Sequence, residues 1–263
     1  MTLPFSPAVM VLLVAALTTG APAAFPQPPK TRAEALAALK NADAAKRAEA
    51  LAWLANRGGM ADAPLLHERL RDESAFVRQF AEQGLWLLWT RSGDSAIDEL
   101  MARATEEMQA GRYPQAVSIL TDVIKRRPDF AEGWNRRATV YYLAGEYDKS
   151  IADCHEVLKR NPRHFGALSG MGQIYFQLED WGKALEWYRK ALDVNPNMLG
   201  VEMNIKLLEE KLKAPRAPGQ ATNFGRIPAR RSRRTTSESA PPMNAAGTRR
   251  LFRCRIMPCG MVR

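Results

Sequence analysis

Prolines at positions 128, 162 and 196 stand 34 residues apart, and the same interval governs many other positions. Ala104, Ala138 and Gly172 share it, as do Tyr113, Tyr147 and Trp181, then Ala116, Ser150 and Ala184, and then Ile124, Leu158 and Leu192. Tyr141 pairs with Tyr175, and Trp134 with Leu168. A fixed period of this length means one small unit copied and stacked. No single unit can bury its apolar face alone, so each needs a neighbour. That requirement excludes most closed folds.

Each unit holds two amphipathic stretches, for example 131–143 and 148–160, joined by Ala144-Gly145-Glu146. Glycine there permits the positive φ that ends a helix. Ala138 and Ser150 are small, so the two backbones can approach where the helices cross. The proline lacks an amide hydrogen and disfavours helix in the residue before it, so it closes the second helix. Pro114 falls in a helix's first turn, where a missing N–H costs nothing. After the last proline, LGVEMNIKLLEEKLK carries Val201, Ile205, Leu208 and Leu212 on one stripe. This predicts a capping helix over 199–213, because a terminal repeat leaves an apolar face open.

The segments WNRRATVYYLAGEYDKSIADCHEVLKRNP and LSGMGQIYFQLEDWGKALEWYRKALDVNP resemble tetratricopeptide repeats. LMARATEEMQAGRYPQAVSILTDVIKRRP is a weaker copy. The resemblance implies an all-α fold, an α-α superhelix with repeats at 97–130, 131–164 and 165–198. It also implies a concave groove lined by the first helix of each repeat. By position, that groove presents Asp98, Met101, Thr105 and Met108, then Asn135, Thr139 and Tyr142, then Ser169, Gln173 and Phe176. Aromatics among short polar groups suit an extended peptide or a partner's helix. Some members of the family clamp a C-terminal carboxylate with Lys, Asn and Arg. Met101 and Thr105 stand where the first Lys and Asn of that clamp would be, so it is not expected here.

Residues 31–92 are rich in Ala and Leu and carry a second period. Leu39-Lys40-Asn41 overlays Leu70-Arg71-Asp72 at a shift of 31, and Arg47, Ala50 and Leu54 overlay Arg78, Ala81 and Leu85. LRDESAFVRQFAEQGL resembles a HEAT-like repeat, the alternative being an irregular helical cap. Either form would extend the solenoid toward the N-terminus, with Trp86 and Trp89 packed at the junction.

The ends differ in composition. AVMVLLVAALT at 8–18 is too short to span a bilayer, and Ala21-Pro22-Ala23 has the form signal peptidase prefers. A signal peptide over 1–24 is expected, and an exported, periplasmic or secreted protein with it. An uncleaved anchor and an apolar start without function are the alternatives. The formal charge of +10 is all in the other end: 213–263 holds 12 Lys and Arg against Glu238 alone, and the remainder holds 26 against 27 acids. Residues 214–263 have the composition of a disordered basic tail. It could be a solvated arm, a phosphate- or lipid-binding segment through RRSRR, or translation past a shifted frame.

No reaction is expected. His67, His155 and His164 have no metal spacing to another ligand, and no phosphate loop or nucleophile motif is present. Cys154, Cys254 and Cys259 make no disulfide framework, and Cys154 sits in a helical apolar pattern as a buried thiol. The reading is therefore a non-enzymatic binding protein without cofactor or metal. Its partner would be a protein or peptide, and nucleic acid or an anionic membrane would enter only through the tail.

Overall fold

The computed structural model describes residues 28–213. The expected signal segment 1–24 and basic tail 214–263 lie outside the described residues. Among these the chain is entirely helical: α1 Arg32–Ala38, α2 Ala44–Arg57, α3 Ala63–Arg69, α4 Ala75–Thr90, α5 Ser95–Gln109, α6 Tyr113–Arg126, α7 Ala131–Leu143, α8 Tyr147–Arg160, α9 Phe165–Gln177, α10 Trp181–Val194 and α11 Leu199–Lys213. None of these helices is long and apolar enough to cross a membrane.

The period becomes three helix pairs, α5/α6, α7/α8 and α9/α10, with α11 packed on α10. Each pair turns in the same way. The amides of Arg112, Glu146 and Asp180 bond back to the carbonyls of Glu107, Tyr141 and Tyr175, five residues earlier. This closure needs a left-handed residue just before it. Gly111 and Gly145 supply it at φ 72° and 75°, but the third repeat has Glu179 there, at φ 58°. A left-handed L-residue costs about 1–2 kcal/mol, partly offset by the greater freedom glycine has when unfolded. Glu179→Gly should therefore raise stability by about 0.5–1 kcal/mol, read as a higher urea midpoint at unchanged slope.

The small residues do sit at the crossings. Ser150 donates from Oγ to the Ala138 carbonyl at 2.7 Å inside the pair. Cys154 is buried in the same cluster as Ala138, Met171 and Ile174. In the third repeat the space is tighter, since a Cβ on Gly172 would come within 2.5 Å of the Tyr188 ring.

Helices α1–α4 make a second body with its own core of Leu51, Leu54, Leu66, Leu70, Val77, Ala81, Leu85 and Leu88. Its 31-residue period has a physical cause. Arg47 donates to the Asn41 and Ala42 carbonyls of its own turn and bidentately to Asp72 of the next, at 3.0 and 2.8 Å. Arg78 repeats this, donating to the Asp72 and Glu73 carbonyls and then to Asn197 Oδ1 at 2.9 Å. Asn197 belongs to the turn between α10 and α11, at the far end of the chain. Arg71 donates to the Asp193 carbonyl, and Asn197 Nδ2 returns a bond to the Leu70 carbonyl at 2.7 Å.

These bonds correct one expectation. The N-terminal body does not extend the solenoid outward; it folds back across the repeats and meets their C-terminal end. The reason is chemical. Arg78 seeks the acceptor of a following turn, and Asn197 provides it. The capping helix is corrected in part as well. Val201, Ile205 and Leu208 are buried as expected, but Leu212 on the same stripe is exposed, and Leu199, Met203 and Leu207 stand exposed on the other side.

Candidate partner-binding groove

Equivalent positions in the first helix of each repeat fall in rows at the 34-residue interval, the rows that the expected groove would present. Met101, Asn135 and Ser169 make one row; Thr105, Thr139 and Gln173 make a second; Met108, Tyr142 and Phe176 make a third. Asp98, Glu132 and Gly166 make the row nearest the helix starts.

Several of these side chains turn inward. Met101 and Met108 pack with Ala104, Leu120 and Val123 in the core of the first repeat. A long flexible thioether fills such a gap at less cost than standing in water. Asn135 is buried and donates to Glu132 Oε2 at 3.0 Å, and Ser169 is buried and donates to the Gly166 carbonyl at 3.1 Å. Asp98 is exposed and accepts from Ser92 Oγ at 2.6 Å across the start of α5.

The half-buried members of these rows lie toward the other end of the helices. Thr105, Thr139, Tyr142, Gln173 and Phe176 are half-buried there. Both threonines turn their hydroxyls back to the carbonyls of Met101 and Asn135. Tyr142 accepts from Gln177 Nε2 at 3.3 Å, and Gln173 Oε1 accepts from Tyr188 at 3.2 Å. Burial raises the Tyr142 phenol above its ordinary range, against the bonds from Gln177 and Gln173. The surface is neutral, amide-rich and aromatic, with Phe176 edge-on to Trp181 at 5.3 Å.

Helix α4 covers the end near the helix starts. Trp86 lies on Gly166, where a Cβ would come within 2.5 Å of the indole. Trp89 stacks on His164 at 4.3 Å and meets Phe165 at 4.9 Å. Behind them, buried Glu132 accepts from Arg136 Nε at 2.8 Å and faces His164 Nε2 at 3.4 Å. Burial alone would raise the Glu132 carboxyl. His164 and Arg136 outweigh that and hold it below the ordinary glutamate range.

His67 of α3 closes the same junction, 6.0 Å from Trp89. Burial, together with the charges of Arg163, His164 and Arg71, pushes its pKa down to about 4. The folded protein therefore holds His67 neutral, while the unfolded chain takes a proton from about pH 6.5 downward. Stability is unaffected above that pH and falls as pH drops toward 4, by about 2–3 kcal/mol from this group. Thermal melts from pH 7 to 4 should show a shallower decline for His67→Leu than for the parent chain.

Models of the tetratricopeptide repeat match residues 101–156 and 129–197. Residues 101–197 carry tetratricopeptide repeats. A TPR repeat-containing protein of Rhizobium etli is 43% identical over 54 residues, 20% of this chain and 26% of the relative. The chain thus matches about a quarter of that relative's length. Similar solved structures include the first TPR of Spaghetti (RPAP3) bound to the HSP90 peptide SRMEEVD, at 19% identity, 45% of this chain, 94% of the other and TM-score 0.43. The TPR domain of Sgt2 from Aspergillus fumigatus covers 52% of this chain and 95% of its own, at 19% identity and TM-score 0.44.

The repeat register runs on into α11. A further shift of 34 takes Ser169 to Met203 and Gln173 to Leu207, so both exposed apolar residues fall on the same two rows. Sequence reasoning missed this because it judged α11 only as a cap. Their signal was the period itself. It placed Trp86 and Trp89 at a junction but did not see that α4 lies on the third repeat, whose signal was Gly166, a gap in a row that otherwise carries Asp98 and Glu132.

Proposed function

We propose that the chain is a non-enzymatic protein-interaction module. It holds a segment of a partner protein in the part of the groove that α4 leaves open. The observation that carries this reading is the half-exposed set Thr139, Tyr142, Gln173 and Phe176. These are neutral, aromatic and amide-bearing side chains on consecutive helices. Such a surface anchors ring or aliphatic groups and holds backbone amides, with no charge to attract an acidic tail. We read α1–α4 as HEAT-like on the repeated arginine bridges of Arg47 and Arg78, and as a wall of the groove. We place the protein in the periplasm or outside the cell on the apolar run at 8–18 and Ala21-Pro22-Ala23.

The test is crosslinking in the native compartment, followed by recovery of the identified partner with the full chain, with Tyr142→Ala and with a chain ending at Ala214. Loss with Tyr142→Ala and retention without the tail supports the groove. Loss with the tail, falling steeply with salt, would instead assign binding to the Arg-rich segment and a polyanion. N-terminal sequencing of the mature protein at residue 24 or 25 tests export.

A further inference from the structure

The α1–α4 body and the repeats each close a core of their own, and the seam between them is of another kind. The core of α1–α4 takes one buried residue from the repeats, Phe165, with Val194 and Met198 half-buried at its edge. The repeats bury Ile97, Leu120 and Val123 in one cluster, Cys154 and Met171 in a second and Ala184, Tyr188 and Leu208 in a third, and none of these draws on α1–α4. What else crosses the seam is aromatic or polar. Trp86 lies on Gly166, Trp89 stacks on His164, and Arg71, Arg78 and Asn197 bond to carbonyl and amide oxygens. A seam of this make-up can part while both bodies keep their cores.

His67 sits in that seam. The ring is 3% exposed, and its Nδ1 has no hydrogen-bond partner among the described residues. A protonated imidazole carries hydrogen on both nitrogens and needs an acceptor for each. The charged and titratable groups that face the ring are all basic: Arg71 from the turn after α3, and Arg163 and His164 from the turn before α9. Helix α4 presents Trp89 to it, at 6.0 Å. The carboxylates of the seam are engaged elsewhere, Glu132 of α7 with Arg136 and His164, and Glu82 of α4 with Asn195. A proton on His67 would thus make a buried cation beside three other basic groups, and water is what relieves it.

We propose that this seam is an acid-released latch: a proton taken up by His67 parts the α1–α4 body from the third repeat while each stays folded. Opening wets the imidazole and bares His164, Phe165 and Gly166. In water the ring takes its proton at about pH 6.5. Burial first, and then the basic neighbours, hold that down to about 4 in the closed seam. Acid therefore favours the open state progressively between these two values and leaves it unchanged above them. From pH 7 to 4.5 the open-to-closed ratio should rise about fiftyfold from this group alone. Two carboxyls modulate the release. Burial would raise Glu132, but His164 and Arg136 hold it low, so wetting it in acid adds to the opening. Burial pushes Glu82 up, so it takes a proton more readily in the closed seam and opposes the opening.

The test follows the full chain by NMR and far-ultraviolet circular dichroism from pH 7 to 4. Indole N–H exchange at Trp89, corrected for its intrinsic pH dependence, should quicken about fiftyfold by pH 4.5 and recover on return to pH 7. The helical signal and the backbone amide protection of α2 and α7 should hold throughout. His67→Leu and His67→Gln cannot take the proton, and each should cut the acceleration to about twofold or less. Two variants are used so that one that folds poorly does not decide the outcome. Helix lost together with indole protection would mean that acid unfolds the whole chain, and overturns the latch. Indole protection that persists to pH 4 overturns it too, as does an acceleration that the folded His67 variants retain.

Discussion

Trp89→Ala is expected to lower stability by about 3–5 kcal/mol and to release the N-terminal body from the repeats. The side chain is 4% exposed and touches His164, Phe165, Trp86 and His67 at once. Truncation removes the apolar area and leaves a cavity that cannot close, because Phe165 and Leu85 are pinned by other contacts. It also uncovers His164, the partner of buried Glu132. Without the indole, water reaches a carboxylate that the native fold keeps dry, so the acid network loosens too. The effect should be local first. Hydrogen exchange should speed up in α3, α4 and the start of α9, while α6 and α7 keep their protection. Uniform acceleration across all the repeats would show instead that the array depends on the N-terminal body to fold at all.

That junction is also where sequence reasoning stopped short. The repeats were legible because each constraint in them is local. A left-handed turn, a small pair at the crossing and a terminating proline all lie within 34 residues, and each leaves a residue-type signal. Ala138 and Ser150 announced a contact that the structure fills with a 2.7 Å hydrogen bond. The return of α4 onto α10 and α11 joins residues more than a hundred apart, through single atoms of Arg71, Arg78 and Asn197. An asparagine after a repeat proline looks like any turn residue. Nothing in one chain says that an arginine 119 positions earlier will use its oxygen.

The groove residues show the same limit in another form. Register placed Met101, Asn135 and Ser169 on one row, but register does not say whether a side chain points to water or folds into its own repeat. Asn135 turned inward because Glu132, one turn back, sits beside it as a buried acceptor. Tyr142 and Phe176 stay half-open, each resting against the aromatic that starts its repeat's second helix, Tyr147 and Trp181.

Gly172→Val should cost about 3 kcal/mol, with a reason the other repeats make testable. Across the three units the residue at this crossing is smallest where its opposite number is largest. Ala104 shares its core with Leu120, and Ala138 with Cys154, while Gly172 lies under Tyr188. Tyr188 is 1% exposed, and its hydroxyl is tied to Gln173, with Asn204 donating to it. The ring therefore cannot swing aside to admit two more carbons on valine. Helix propensity works in the opposite direction, since glycine inside a helix is worse than valine by about 0.5 kcal/mol. Overpacking wins because it acts on a ring fixed at both ends. Shrinking the ring to the leucine that serves the first repeat should reverse the sign for the smallest substitution. Gly172→Ala should cost about 1–2 kcal/mol with Tyr188 present and be neutral or stabilising in a Tyr188→Leu background. Urea denaturation of the four chains gives the coupling directly. If Gly172→Ala is equally costly with and without the tyrosine ring, the glycine is required by the backbone of α9 and not by its neighbour.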